Sequence, residues 1–124
     1  MKRAILMIIA ATLALAAQAT AGDGNWWCTV NRQTKTFYVC GMIDGIIASG
    51  KADQTPRFYY NSEDRLDQLV DGLDRFYADF RNRGIAIPFA AEPVIMAIEG
   101  APLDKINQKI ADFRRITAAV SSGH

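Results

Sequence analysis

The sequence predicts an all-α protein: a small four-helix domain with an irregular, disulfide-tied N-terminal segment, preceded by a signal peptide. Three observations carry this expectation. Leu66, Leu69, Val70, Leu73, Phe76, Tyr77 and Phe80 recur in steps of three and four, the spacing of one buried helix face. Glycines and prolines at Gly50, Pro56, Gly84, Gly100 and Pro102 divide the rest into segments of helical length. Finally, Lys2 and Arg3 precede a charge-free run, Ala4 to Ala17, that is too short to span a bilayer, which needs about 20 apolar residues.

That run is followed by Gln18 and by Ala19-Thr20-Ala21, the small-x-small pattern of a signal-peptidase site. Residues 1–21 read as a signal peptide cut after Ala21, with a cut after Ala19 as the rival, and residues 22–124 as a single helical domain. The expected location is periplasmic or secreted, with no stable membrane anchor after cleavage. Cys28 follows Asn25-Trp26-Trp27, which is not a lipoprotein signal. Losing Lys2 and Arg3 takes the fourteen Lys and Arg to twelve, against thirteen Asp and Glu, a net charge of −1. With no basic cluster, neither nucleic acid nor anionic lipid is an expected partner.

Cys28 and Cys40 are an even pair in an exported chain, and are read as a structural disulfide worth about 3 kcal/mol on the chain-entropy model. Twelve residues apart, they do not form the Cys-x-x-Cys of a redox site, and the one histidine, His124, ends the chain, so no four-ligand zinc set exists. Residues 22–35 look irregular, with Trp26 and Trp27 covering one end of the core or standing exposed for ligand stacking. Thr36 is expected to cap a first helix ending near Ser49, before Gly50, with Val39, Ile43, Ile46 and Ile47 inward. Gly41 and Gly45 share a face of it and suggest a closely packed neighbour. Around Pro56, Phe58, Tyr59 and Tyr60 either fold back on the next helix or form an aromatic patch.

Asn61 or Ser62 caps the second helix, whose other stripe, Asp64, Asp67, Asp71 and Asp74, reads as a solvated face with Asp71 paired to Arg75. Asn82-Arg83-Gly84 should end it, and Ile85 to Pro88 should run extended. A short third helix is expected from about Phe89 to Glu99, with Pro93 in its first turn and Gly100 as its stop. Pro102 opens a fourth, with Leu103, Ile106, Ile110, Phe113, Thr117 and Val120 on one face and a frayed tail from residue 121. Leu66, Leu69, Leu73, Phe76, Phe80, Ile106, Ile110 and Phe113 are the expected core.

No constellation carries catalysis. A hydrolytic triad lacks its histidine, and there is no phosphate loop, His-Glu-x-x-His or paired-carboxylate cleft. The chain is expected not to be an enzyme and to need no cofactor or metal. Asp44, Asp79, Arg81 and Arg83 remain as a candidate polar patch for a protein partner, since arginines beside aromatics anchor interfaces. The bland alternative is that Asp44 faces water and that Asn82 and Arg83 finish the helix. A small-molecule site using Trp26, Trp27 and Tyr59 is a further reading.

By Tyr38-Val-Cys-Gly-Met-Ile-Asp-Gly-Ile-Ile-Ala-Ser-Gly50, followed by the long amphipathic helix through Phe80, the chain resembles the Rap1a/Tai family of small exported immunity proteins. The likeness covers roughly residues 28–80. This chain lacks the further cysteines typical of that family, and its C-terminal half finds no counterpart there. The resemblance implies binding and inhibition of a cell-wall hydrolase and gives no map of inhibitory residues. An acid-activated periplasmic chaperone of the HdeA kind, or an envelope accessory protein, is the alternative, although HdeA-type cysteines enclose a longer loop.

Overall fold

The computed structural model describes residues 22–48 and 63–123. Residues 1–21, the aromatic trio Phe58 to Tyr60, the caps Asn61 and Ser62, and His124 lie outside them. The described residues form a short helix α1 (Gly24–Trp27) and four longer ones: α2 (Arg32–Ala48), α3 (Glu63–Ala78), α4 (Ile87–Ile98) and α5 (Leu103–Ser122). A single 3-10 turn, Phe80–Asn82, follows α3. The all-α expectation holds. The long helices pack in chain order, α2 on α3, α3 on α4 and α4 on α5. No helix among the described residues is long and apolar enough to cross a membrane.

The N-terminal segment is more ordered than its polar composition implied. Asp23 caps α1, its carboxylate accepting from the amides of Asn25 (3.0 Å) and Trp26 (3.1 Å). Asn31, not Thr36, caps α2: its Oδ1 accepts from the Thr34 amide at 2.9 Å. Helix α2 therefore starts five residues earlier than expected, and Thr36 is an interior residue bonded back to the Arg32 carbonyl. Ile87 N donates to Gly22 O at 2.7 Å beside an antiparallel bridge between Asp23 and Ala86, fixing the start of the segment to the start of α4.

The expected disulfide is corrected. Cys28 and Cys40 are both free thiols. Cys28 ends α1, its Sγ directed at the Tyr77 carbonyl 4.0 Å away. Cys40 sits half-buried eight residues into α2 and is not at bonding distance from Cys28. Bridged cysteines need Cα atoms within about 7 Å. The N-terminal segment is held by hydrogen bonds and burial instead.

The stripe on α3 builds the core as read, with Leu69, Val70, Leu73, Phe76 and Tyr77 buried and Leu66 packed at its edge. Phe80 is the exception, 76 % exposed. Asp79 takes an extended conformation (φ −77°, ψ 112°) and caps the 3-10 turn, so α3 stops at Ala78 and the stripe loses its register before reaching Phe80. Trp27, Val39, Ile85, Ile87, Ala90, Ala91, Val94 and Ile95 complete the core. Trp27 is buried and Trp26 packs against Tyr38 in a tilted arrangement with ring centroids 5.1 Å apart, so neither is a free stacking platform.

Helix α4 begins two residues earlier than expected, with Pro88 in its first turn, which leaves Pro93 inside the helix rather than at its start. It ends as read: Gly100 takes φ 78°, and the amides of Gly100 and Ala101 donate to the carbonyls of Ala97 and Met96, a Schellman closure. Helix α5 runs on through Ser122, two residues into the expected tail.

The glycine that lets two long helices pack closely is Gly72, not the pair on α2. A Cβ at Gly72 would collide with Val94 Cγ1 of α4, whereas a Cβ at Gly41 or Gly45 would meet none of the described residues within 4 Å. Gly72→Ala is therefore expected to lower stability by about 1–3 kcal/mol through overpacking. Gly41→Ala should raise it, by up to about 1 kcal/mol of helix propensity. Urea unfolding midpoints of the two variants check both signs.

Candidate functional site

Three of the four candidate partner-binding residues lie around the end of α3. The last carbonyls of a helix have no intrahelical donors, and here the following turn supplies them. Asn82, the buried polar residue of the core, donates Nδ2 to the Phe76 carbonyl at 2.8 Å. Arg83 donates Nε to the Tyr77 carbonyl at 3.3 Å. Its own carbonyl accepts from Asn25 Nδ2 at 3.4 Å, tying α1 to the same place.

Asp79 is the hub of the charged part. Its carboxylate accepts from Arg81 Nε (3.0 Å) and Nη2 (2.6 Å), from the Arg81 amide (3.0 Å), and from Arg114 Nη2 on α5 (3.1 Å). Arg114 Nε also donates to Asn82 Oδ1 at 2.8 Å. The Arg81 side-chain bonds, helped by the Arg81 amide and the charge of Arg114, hold the Asp79 carboxyl well below the usual carboxylate range. Asp79, Arg81 and Arg114 thus form one exposed-to-half-buried ionic cluster, and Arg114, invisible to sequence reading, belongs to it. Arg83 is turned inward as a helix cap. Asp44 is exposed on α2, at the other end of the packing order, and shares no hydrogen bond or ion pair with the other three.

The aspartate stripe of α3 keeps much of its exposure, but three of its four carboxylates, Asp67, Asp71 and Asp74, are also paired across to α2. Arg32 donates Nη1 to Asp71 (2.6 Å) and Nη2 to Asp67 (2.9 Å). Asp74 accepts from Lys35 Nζ and from Trp27 Nε1, both at 2.7 Å. The early start of α2 is what brings Arg32 and Lys35 into reach, and Lys35 also lies over the Trp27 ring, 5.3 Å from its centroid.

Beside the ionic cluster lies an apolar groove of about 260 Å³, formed by the turn before α4, by Phe89, and by Phe113, Ile116, Thr117 and Val120 of α5. The expected inward stripe of α5 is only partly covered. Ile106 is buried and Ile110 and Phe113 pack at the core's edge, but Leu103 (71 %) and Val120 (65 %) stand exposed. Phe89 and Ile116 are exposed too, with Phe89 resting on Phe113 at a centroid distance of 5.5 Å. Phe113 lines the groove while the next residue, Arg114, reaches back to Asp79, so the apolar and ionic surfaces are continuous along α5.

Among the described residues no group of three or more His, Cys, Asp or Glu side chains is arranged to hold a metal ion. No family model, curated protein or solved structure matches the chain.

Asp79 ionises more readily in the folded chain than in the unfolded one, where its pKa is about 3.9. Its pairing therefore adds stability above that value, and the addition fades as pH falls through it toward the lower folded value. Asp79→Asn should be less stable than the parent near pH 7, with the gap narrowing below about pH 4. Parallel urea titrations at the two pH values read this directly, and a gap that widens in acid would refute it.

Proposed function

We propose that the protein is exported to the periplasm or secreted and acts there by binding another protein. The observation that carries this reading is the uncovered apolar stripe on α5. Phe89, Ile116 and Val120 are large, exposed and grouped around a groove, with a rim of Asp79, Arg81 and Arg114. A contiguous apolar patch with a polar rim is the usual anatomy of a protein-binding face. Export rests on the leader sequence, Lys2 to Ala21.

The resemblance of Tyr38–Gly50 to the Rap1a/Tai immunity family supports a cell-wall hydrolase as the partner and inhibition as the outcome. The described part of that segment, residues 38–48, lies on α2, where Gly41, Asp44 and Gly45 are exposed. Binding, not catalysis, is the activity proposed, with no cofactor or metal.

The test is capture from periplasmic extract, with mass spectrometry, using the parent, a Phe89→Ser/Ile116→Ser variant and Arg81→Ala. These side chains are exposed, so folding should survive their loss. Arg81 is the appropriate arginine because Arg83 caps α3. One near-stoichiometric hydrolase, lost with the double variant and weakened by Arg81→Ala, is the expected result. A broad set of clients would replace the immunity reading with that of a chaperone or envelope accessory. A single partner indifferent to all three substitutions would remove this face from the binding site.

A further inference from the structure

We propose that a second groove, between α3, α4 and α5, binds a single-chain anionic amphiphile: one apolar chain ending in one carboxylate. The cavity measures about 360 Å³ and is walled by Phe76, Val94, Ala97, Ile98, Ile106 and Ile110. That volume falls within the range of small-molecule sites, about 300–1,000 Å³. The one charged residue that lines it is Arg75, near the C-terminal end of α3.

Arg75 is unpaired for a structural reason. Its expected partner one turn back, Asp71, is taken by Arg32 at 2.6 Å, and Asp74 is taken by Lys35 and Trp27. Among the described residues no carboxylate neutralises the Arg75 guanidinium, and none lines the cavity. An apolar trough with a lone cation on its wall selects for a chain with a negative head. The apolar wall contributes affinity, about fourfold per buried methylene. The planar guanidinium, which suits bidentate carboxylate bonds, decides the sign of the head group. This site is separate from the proposed protein-binding groove, which lies on the Phe89–Phe113 side of α5, so either proposal can fail without the other.

The test titrates decanoate, decanol and decyltrimethylammonium, each below its micelle concentration, into the purified ¹⁵N-labelled protein and follows amide shifts. Decanoate should shift Gly72, Ala97 and Ile106 saturably, decanol should bind more weakly, and the cationic amphiphile should not bind. Arg75→Gln, at an exposed position, should weaken decanoate by about tenfold and leave decanol unchanged. Dodecanoate should bind more tightly than octanoate. The proposal is overturned if none of the three binds saturably or if all three bind alike. It is equally overturned if Arg75→Gln leaves decanoate binding intact, or if the shifts fall only around Phe89 and Phe113.

Discussion

Most of this fold converges on Tyr77. Its ring is fully buried and its hydroxyl donates to the Ile85 carbonyl at 2.8 Å, so burial strongly disfavours its ionisation. Gly24 of α1 packs so closely on that ring that a Cβ there would collide with Tyr77 Cδ1. Trp27 packs on it at a centroid distance of 6.3 Å and Phe76 meets it edge-on at 5.2 Å. The Tyr77 carbonyl takes Arg83 Nε and faces Cys28 Sγ. One residue thus joins α1, the end of α3 and the turn that leads into α4. The expected Cys28–Cys40 disulfide would have tied the N-terminal segment to α2; Tyr77 ties it instead to α3 and the turn before α4.

The charges are organised by the same principle of closing helix ends and helix pairs. Arg32 and Lys35 on the first turn of α2 meet the Asp67, Asp71 and Asp74 row of α3. The Arg32 pairs, about half exposed, contribute little individually, about 0–1 kcal/mol each, while Lys35–Asp74 is more buried. Their value lies in register, because they fix which face of α2 looks at α3. At the opposite end of α3, Asp79 and Asn82 gather Arg81 and Arg114 and so orient α5. Two consequences reach the surface: Arg75 is left unpaired beside one groove, and the Asp79 cluster borders the other. The surfaces proposed to bind are by-products of how the helices are tied.

What the sequence made legible was periodic. The α3 stripe, the Gly100 stop, Pro102 before α5 and the all-α class could be read because each rests on local spacing or on one residue's backbone preference. What could not be read depended on pairing at a distance. Asn31 and Thr36 are both capable caps, and only the packing of Arg32 and Lys35 on α3 selects the former. Gly41, Gly45 and Gly72 look alike in sequence, and only the approach of Val94 tells them apart. Asp79, Arg81 and Arg83 were visible as a polar block, but their division into an ionic cluster and an inward cap required Arg114, which is distant in the chain. Phe80 continues the stripe in sequence but leaves it in space, because Asp79 just before it ends the helix.

The most direct test of this account is the stability and amide exchange of Tyr77→Phe, which removes one oxygen and leaves the ring in place. If Tyr77 ties the segments together, the unsatisfied Ile85 carbonyl should cost about 1–3 kcal/mol. Exchange at Trp27 and Ile87, whose amides bond to Asp23 and Gly22, should also quicken together. Unchanged stability with unchanged exchange at both amides would contradict the account and return the N-terminal segment to the status of an independent appendage.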